Sequence, residues 1–177
     1  MTIDFPVLDW IQSLRTPFLD HMMIGITRLG DHGFLWIVIV AVLLCIPKTR
    51  KVGIVAALAL ITDAILCNLV IKPLVGRSRP FELVEEMRIL IPRPSGTSFP
   101  SGHTSSAFSV VFSLLFSGWK KLGAFIGMPA VLIAFSRMYL YVHFPTDIFA
   151  GILVGAFCGF LFSWIMKKRD TGYQKKS

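Results

Sequence analysis

The sequence predicts an all-α fold, a polytopic membrane helix bundle with about six transmembrane helices. Of its 177 residues, 54% are hydrophobic and only 16% are charged, a balance that is typical of membrane proteins and unusual for a soluble domain of this length. Apolar runs of the length that a membrane-spanning helix needs recur along the chain, and short basic clusters separate them. Little remains for a soluble domain, so we treat residues 1–177 as a single membrane domain.

The N-terminal part has two interpretations. Residues 1–16 are predicted to form a helix at the membrane interface. Two apolar stretches follow, at 17–29 and 34–46, and the Gly30-Asp31-His32-Gly33 sequence between them is typical of a turn. We interpret these stretches as two spans. The alternative is one span from about Leu29, with the preceding helix lying in the interface.

The later segments are clearer. Residues 52–71 form an apolar span that only Thr62, Asp63 and Asn68 interrupt, and residues 72–102 form the longest polar stretch. The chain is then predicted to end with three further spans and a basic cytoplasmic tail, at 103–117, 122–139, 145–166 and 167–177.

The basic residues indicate the orientation in the membrane. The formal net charge is +8, but the Lys and Arg residues do not gather on one polar face, as nucleic-acid binding would require. They cluster at 48–51, 120–121 and 167–176, between the apolar segments, as in cytoplasmic loops of membrane proteins. We therefore exclude a nucleic-acid partner and place residues 72–102 and 140–147 together on the extracytoplasmic face.

The segment that ends at Asp147 carries the first candidate residues for chemistry. Pro145 suits the first position of a helix, so Asp147 falls in the first turn, where a carboxylate is favoured and can reach back over the preceding segment. His143 lies in that segment. Asp147 can then accept a hydrogen bond from one ring nitrogen of His143 and leave the other nitrogen basic, as in an activated nucleophile. The alternative is an interfacial histidine beside an unrelated capping carboxylate.

The Pro100-Ser101-Gly102-His103 sequence is the second candidate. Ser101 is a favoured N-cap residue, and His103 opens an apolar helix. The backbone N–H groups of Ser101, Gly102 and His103 can bind a phosphate oxygen, and Gly102 permits a close approach. At this helix start, His103 can donate a proton to a leaving oxygen. The alternative is an ordinary serine-capped helix.

Three cations lie on the face that the charge rule predicts to be poor in Lys and Arg. Lys72 ends a span, Arg79 follows seven residues later, and Arg137 lies near the end of the fifth span. The planar guanidinium of Arg suits phosphate because it donates two parallel hydrogen bonds. Snorkelling to the interface is the alternative for Lys72. Cations that lie on this face despite the charge rule need an anionic partner, and three of them together suit a phosphoryl group.

The three segments resemble the signature motifs of the type 2 phosphatidic acid phosphatase superfamily, K-x6-RP, PSGH and SR-x5-H-x3-D, with every motif position matched. The resemblance implies a metal-independent membrane phosphatase with its active site at the extracytoplasmic helix ends, which proceeds through a phosphohistidine. It makes His143 the nucleophile, Asp147 its orienting carboxylate and His103 the general acid. The phosphate-binding residues that it implies are Lys72, Arg79, Ser101, Gly102 and Arg137.

The resemblance also implies a substrate and a location. It implies hydrolysis of a phosphate monoester or diphosphate of a membrane lipid at a bacterial cell membrane, with undecaprenyl diphosphate or phosphatidylglycerol phosphate favoured. None of the four histidines lies in a metal-ligand spacing, so we expect no metal and no cofactor. The expected partners are the lipid substrate and the bilayer, without an obligate protein partner. The alternatives are a lipid phosphotransferase, a transporter and a non-catalytic scaffold.

Two features stay outside the expected site. Asp63 lies within a span, about 13 Å from Lys72 along the helix at a rise of 1.5 Å per residue, which we take as too far for a role in the attack on phosphorus. Residues 81–99 alternate acidic and apolar side chains. They either border a gap through which a lipid reaches the site or form a packed loop over the helix ends.

Overall fold

Helices account for all the regular structure in the part of the chain that the structure describes, residues 3–85 and 87–174 of a computed structural model. A π-helical turn at Leu66–Ile71 joins α4 to α5, and 3₁₀ turns occupy Asp31–Gly33 and Pro80–Glu82. The all-α fold class is therefore confirmed. The α-helices of these residues are α1 (Asp4–Ser13), α2 (Pro17–Leu29), α3 (Phe34–Cys45), α4 (Arg50–Ile65), α5 (Lys72–Val75), α6 (Gly102–Phe116), α7 (Lys120–Tyr139) and α8 (Pro145–Gln174).

The predicted apolar segments all coincide with helices, although some of their ends differ. The span predicted at 52–71 is longer, because α4, the π-turn and α5 follow one another without a break from Arg50 to Val75. The last helix continues past residue 166 to Gln174, so the predicted basic tail is helical as far as the structure describes it. Residues 175–177 of that tail lie outside the described residues.

Several of these helices have the length and composition of membrane spans. α2 and the following Asp31–Cys45 stretch qualify together as one span with a bend of 43°, and α6 is a shorter apolar helix of 15 residues. Large apolar side chains such as Phe125 and Phe149 lie exposed on the outer faces, where lipid would cover them. These features indicate a multi-pass membrane protein, and six crossings stay a prediction. Among the described residues, three stretches qualify without a partner helix: Arg50–Glu82, Lys120–Tyr139 and Pro145–Arg169.

α6 lies at the centre of the bundle, packed against α3, α4, α7 and α8. Its closest neighbour is α8, which approaches through glycines at every fourth position. A Cβ atom added at Gly155 would lie 2.6 Å from the carbonyl oxygen of Ser105, and one added at Gly151 would lie 2.9 Å from that of Ser101. Small residues at this spacing let helix backbones pack closely in membranes. The contact places the start of α6 beside the start of α8.

Loop 81–99 belongs to a second apolar cluster at the end of the bundle. This cluster contains Leu8 of α1, Met23 of α2 and Phe144 of the turn after α7. Five apolar side chains of the loop pack against it, so the structure favours the packed loop over the lipid gap. The loop residues involved are Val84, Met87, Ile89, Leu90 and Ile91.

The basic clusters and the motif residues lie at opposite ends of the bundle. Lys48, Lys51 and Lys167 line a cavity of about 420 Å³ at one end. Lys72 and His103 line a cavity of about 470 Å³ towards the other end. The separation on which the predicted orientation depends is therefore present in the fold.

Candidate active site

His143 is held by the turn that links α7 to α8. The carbonyl oxygen of Arg137 accepts hydrogen bonds from the backbone N–H groups of Val142 (3.1 Å) and His143 (3.3 Å), which fold this turn back over the end of α7. The side chain of Asp147 accepts a hydrogen bond from the backbone N–H of Phe144 at 2.9 Å. The first-turn carboxylate therefore reaches back over the segment that contains His143, as the sequence predicts.

The imidazole of His143 lies between a carboxylate and a guanidinium. Its Nδ1 is 3.4 Å from Asp147 Oδ2, without the alignment of a completed hydrogen bond, and Arg79 Nη1 lies 3.3 Å from its Nε2. Because a guanidinium can only donate, Nε2 is the acceptor in this contact and the proton lies on Nδ1, facing Asp147. Contacts of catalytic groups are often long before a substrate binds. This tautomer leaves Nε2 able to attack.

The surroundings of His143 also keep its imidazole uncharged. Burial lowers the pKa of His143 to about 3, and the positive charges of Arg137 and Arg79 act in the same direction against the opposing effect of Asp147. An apolar, cation-rich environment disfavours a further positive charge. A neutral imidazole is therefore present throughout the ordinary pH range.

The start of α6 agrees with the prediction in position and differs in its hydrogen bonds. Ser101 is the N-cap residue, but its side chain makes no capping bond and instead accepts one from Thr104 Oγ1 at 3.0 Å. Its backbone N–H donates to the carbonyl oxygen of Asp147 at 3.1 Å. This N–H is therefore not free to bind a phosphate oxygen, contrary to the prediction. The N–H groups of Gly102 and His103 follow it, and the first N–H groups of a helix have no acceptor within that helix.

Lys72 and Gly102 face each other across the site. A Cβ atom at Gly102 would lie only 3.6 Å from Lys72 Nζ, so the glycine leaves room for an anion between the ammonium and the start of α6. Lys72 Nζ donates a hydrogen bond to Asn68 Oδ1 at 3.1 Å. The lysine side chain therefore points back along its own helix towards the cavity rather than out to the interface.

Arg79 and Arg137 are both buried, with 3% of each residue exposed. Arg79 is anchored by the carbonyl oxygens of Ser95, Gly96 and Val142 at 2.9–3.1 Å. Arg137 Nη1 donates to Thr27 Oγ1 at 2.6 Å, whereas its buried Nε has no hydrogen-bond acceptor in the part of the chain that the structure describes. A buried N–H without a partner is costly, and an oxygen of a bound phosphate would supply the acceptor.

The motifs assign no role to Arg77, yet it contacts Asp147 directly. Arg77 Nη1 donates to Asp147 Oδ1 and to Thr146 Oγ1, both at 2.7 Å, and the guanidinium lies 3.9 Å above the ring centre of Phe144. Both oxygens of Asp147 are thus engaged, Oδ1 by Arg77 and Oδ2 by the N–H of Phe144. The charge rule that singles out Arg79 applies equally to Arg77, so the sequence contains a signal from which Arg77 could have been identified as a candidate.

Asp4 extends this network to the N-terminal helix. Its Oδ2 accepts hydrogen bonds from Arg77 Nη2 at 2.7 Å and from Thr146 Oγ1 at 2.9 Å. Burial by itself would raise the pKa of Asp4, but the hydrogen bonds from Arg77 and Thr146 outweigh it and hold the pKa below its usual value. The carboxylate of α1 is therefore charged and tied to the start of α8. The sequence offers no local signal for this contact, because the residues are distant in the chain.

His103 has a carboxylate partner of its own. Its Nε2 lies 3.1 Å from Oδ1 of Asp31, a residue of the turn between α2 and α3. A Cβ atom at Gly30 would lie 2.8 Å from Cδ2 of His103, so glycine at this position leaves space for the ring. The sequence indicates only a turn here, and Asp31 is a functional candidate that the motifs miss.

The assembled site suits a tetrahedral anion beside one neutral imidazole. Lys72, Arg79 and Arg137 supply positive charge, and the start of α6 supplies backbone N–H groups. Within residues 3–85 and 87–174, no three His, Cys, Asp or Glu side chains lie close enough together to hold a metal ion.

Comparison with known proteins gives matches along most of the chain. The family model of the PAP2 superfamily matches residues 51–171. Phosphatidylglycerophosphatase B of Bacillus subtilis is 37% identical over 176 residues, which cover 92% of this chain and 82% of the relative. Undecaprenyl-diphosphatase of Sulfolobus acidocaldarius is 34% identical over 143 residues, covering 81% and 68%. The crystal structure of Aquifex aeolicus LpxE matches with a TM-score of 0.79 at 30% identity, covering 90% of this chain and 94% of that one.

Proposed function

The chain belongs to the PAP2 superfamily, and we propose that it hydrolyses a phosphate monoester or diphosphate of a membrane lipid through a phosphohistidine on His143. The names of its relatives point to undecaprenyl diphosphate or phosphatidylglycerol phosphate as substrate. The observation that carries the proposal is the setting of His143: a buried, neutral imidazole with Nδ1 towards Asp147 and Nε2 towards Arg79.

In the first step Nε2 of His143 attacks phosphorus, and the bond from phosphorus to the leaving lipid oxygen breaks. Lys72, Arg79 and Arg137 stabilise the negative charge on the equatorial oxygens, together with the N–H groups at the start of α6. Asp147 stabilises the positive charge that develops on the imidazole, because it faces the Nδ1 proton. An oxygen of the bound phosphoryl group then accepts a hydrogen bond from the buried Nε of Arg137.

His103 acts as the general acid in the first step and as the general base in the second. It donates a proton to the leaving oxygen of the lipid, and Asp31, whose Oδ1 lies 3.1 Å from Nε2 of His103, orients the ring. Water then attacks phosphorus, the bond from phosphorus to Nε2 breaks, and His103 accepts the proton from the water. Inorganic phosphate leaves and His143 returns to its initial state. Gly102 permits the approach of the phosphate, and Ser101 holds the start of α6 against Asp147.

The three cations supply the positive charge that a metal would otherwise provide, so we propose that the reaction needs no metal ion.

The end of the bundle opposite the basic clusters faces the extracytoplasmic side in this proposal. Introduced cysteines test this orientation in a Cys45→Ala background, because the two other cysteines are buried. In intact cells, a membrane-impermeant maleimide should label Arg93→Cys and not Lys48→Cys. The reverse pattern would overturn the orientation.

Trapping of the phosphoenzyme tests the mechanism. The detergent-purified protein is mixed with a lipid that carries a labelled terminal phosphate and is quenched within one turnover. The label should remain on the protein in alkali and leave it in acid, as expected of a phosphohistidine, and it should be absent from His143→Ala. His21→Ala is the matched control, because His21 lies exposed on α2. Full activity of His143→Ala would refute the assignment, and phosphate transfer to a lipid hydroxyl instead of water would identify a phosphotransferase.

A further inference from the structure

The cavity that contains Lys72 and His103 continues past the phosphate site into the apolar part of the bundle. Its far walls include Ile37 of α3 and Ile61 of α4, which are 54% and 59% exposed on the outside of the bundle. Loop 81–99 is packed over the helix ends on another side. The cavity therefore offers a lipid that is held by its phosphate a path for its remaining part towards the bilayer.

Asp63 lines the same cavity and has an unsatisfied oxygen. The residue is 1% exposed. Its Oδ2 accepts a hydrogen bond from Ser105 Oγ at 3.1 Å, whereas Oδ1 is buried and has no hydrogen-bond partner among the described residues. A buried acceptor that stays unpaired is unfavourable, and such groups in native proteins have a reason. Here the adjoining cavity can bring a hydrogen-bond donor on a ligand.

Asp63 lies closer to the phosphate site than its position along α4 suggests. Its partner Ser105 also donates to the carbonyl oxygen of Gly102 at 3.3 Å, so the carboxylate is about one helical turn, roughly 5.4 Å, from the start of α6. Lys72 turns back to Asn68 across the π-turn, a type of irregularity that is frequent at functional sites. The 13 Å measured along the helix concerns a role in the attack on phosphorus, and it does not describe the shorter path across to α6.

We propose that Asp63 binds a hydroxyl group on the carbon next to the phosphate ester carbon of the substrate. The preferred substrate is then a glycerol-type phosphate monoester rather than a polyprenyl diphosphate. This inference rests on the proposed function. A hydroxyl at that place lies only a few bonds from phosphorus, within the one-turn distance between Asp63 and the start of α6. A diphosphate offers no hydroxyl group at that place, where its second phosphate group would lie instead.

The experiment compares two lipids that differ in one atom. The first is phosphatidylglycerol phosphate, and the second is its analogue with hydrogen in place of the hydroxyl of the phosphorylated glycerol. The unmodified protein should prefer the hydroxyl lipid by about 10–100-fold in kcat/KM, the usual cost of leaving a buried acceptor without its hydrogen bond. In Asp63→Asn this ratio should fall to a few-fold or less. Thr62→Val, a neighbour on the same helix, should keep the original ratio.

Each result decides between the alternatives. A ratio near one in the unmodified protein would overturn the inference, and so would an equal loss on both lipids in Asp63→Asn, which would indicate a purely structural role. If Asp63→Asn does not fold, Ser105→Ala replaces it: removal of the hydroxyl that holds Oδ2 should lower the ratio several-fold, and an unchanged ratio would contradict the inference. If phosphate is released from none of the three substrates (the two lipids and a polyprenyl diphosphate), the proposed function is wrong.

Discussion

Arg77 offers the sharpest test of how the site is held together, because it contacts the orienting carboxylate without facing the nucleophile. The replacement Arg77→Met keeps much of the side-chain volume and removes the guanidinium. It deletes the hydrogen bonds to Asp147, Thr146 and Asp4. Asp147 Oδ1 is then left without its cation in a side chain that is 0% exposed.

The expected magnitude follows from these contacts. A hydrogen bond to a charged group contributes about 1.5–3 kcal/mol, and Arg77 makes two to carboxylates. Its side chain is 24% exposed, so we take the lower end of the range and expect about 2–3 kcal/mol of lost stability. Displacement of a catalytic group by about 1 Å can cost about 100-fold in rate. We therefore expect kcat to fall about 100-fold with little change in KM, because Arg77 acts through Asp147.

The assay is phosphate release from a detergent-solubilised lipid, with thermal unfolding measured on the same samples. Arg88→Met is the matched control, since Arg88 lies exposed in loop 81–99. Asp4→Asn should give a smaller loss, because Arg77 keeps its bond to Asp147, and Arg77→Lys should restore only part of kcat, because an ammonium lacks the planar fork. A rise in KM at unchanged kcat would show that Arg77 binds substrate instead, and activity equal to that of Arg88→Met would refute the positioning role.

Four further outcomes are expected. Gly155→Ala should lower the melting temperature by several degrees, because its Cβ would lie 2.6 Å from the backbone of α6, while Gly25→Ala, with nothing within 4 Å, should leave it unchanged or raise it. Asp31→Asn should slow phosphoenzyme formation about 10-fold, and phosphohistidine yield within one turnover measures this. The nitrogen NMR signals of His143 should show a neutral ring between pH 5 and 8, since its pKa is lowered to about 3; titration near pH 6.5 would contradict this. Activity should survive dialysis against a chelator, and loss that Mg²⁺ or Zn²⁺ restores would refute metal independence.

The sequence alone determines the features that depend on neighbouring residues. Hydrophobic runs and basic clusters predict the helices and the two ends of the bundle, because a helix in lipid needs continuous apolar length. The pairing of His143 with Asp147 is predictable for a similar reason, since a first-turn carboxylate reaches the segment just before its own helix. The motif residues then agree with the family, and the structure brings their segments to one end of the bundle.

Tertiary structure decides what partners those residues have. The contacts of Arg77 with Asp4, of His103 with Asp31 and of Ser105 with Asp63 join residues about 40 to 70 positions apart. Such contacts depend on how closely the helices approach each other and on how each helix is rotated about its axis. The glycines of α8, the π-turn and the packing of the whole core together determine both. For Asp63, the distance along its own helix does not give the distance across to α6, which only the packing decides. Local periodicity is thus readable from the chain, whereas contacts between helices exist only after packing.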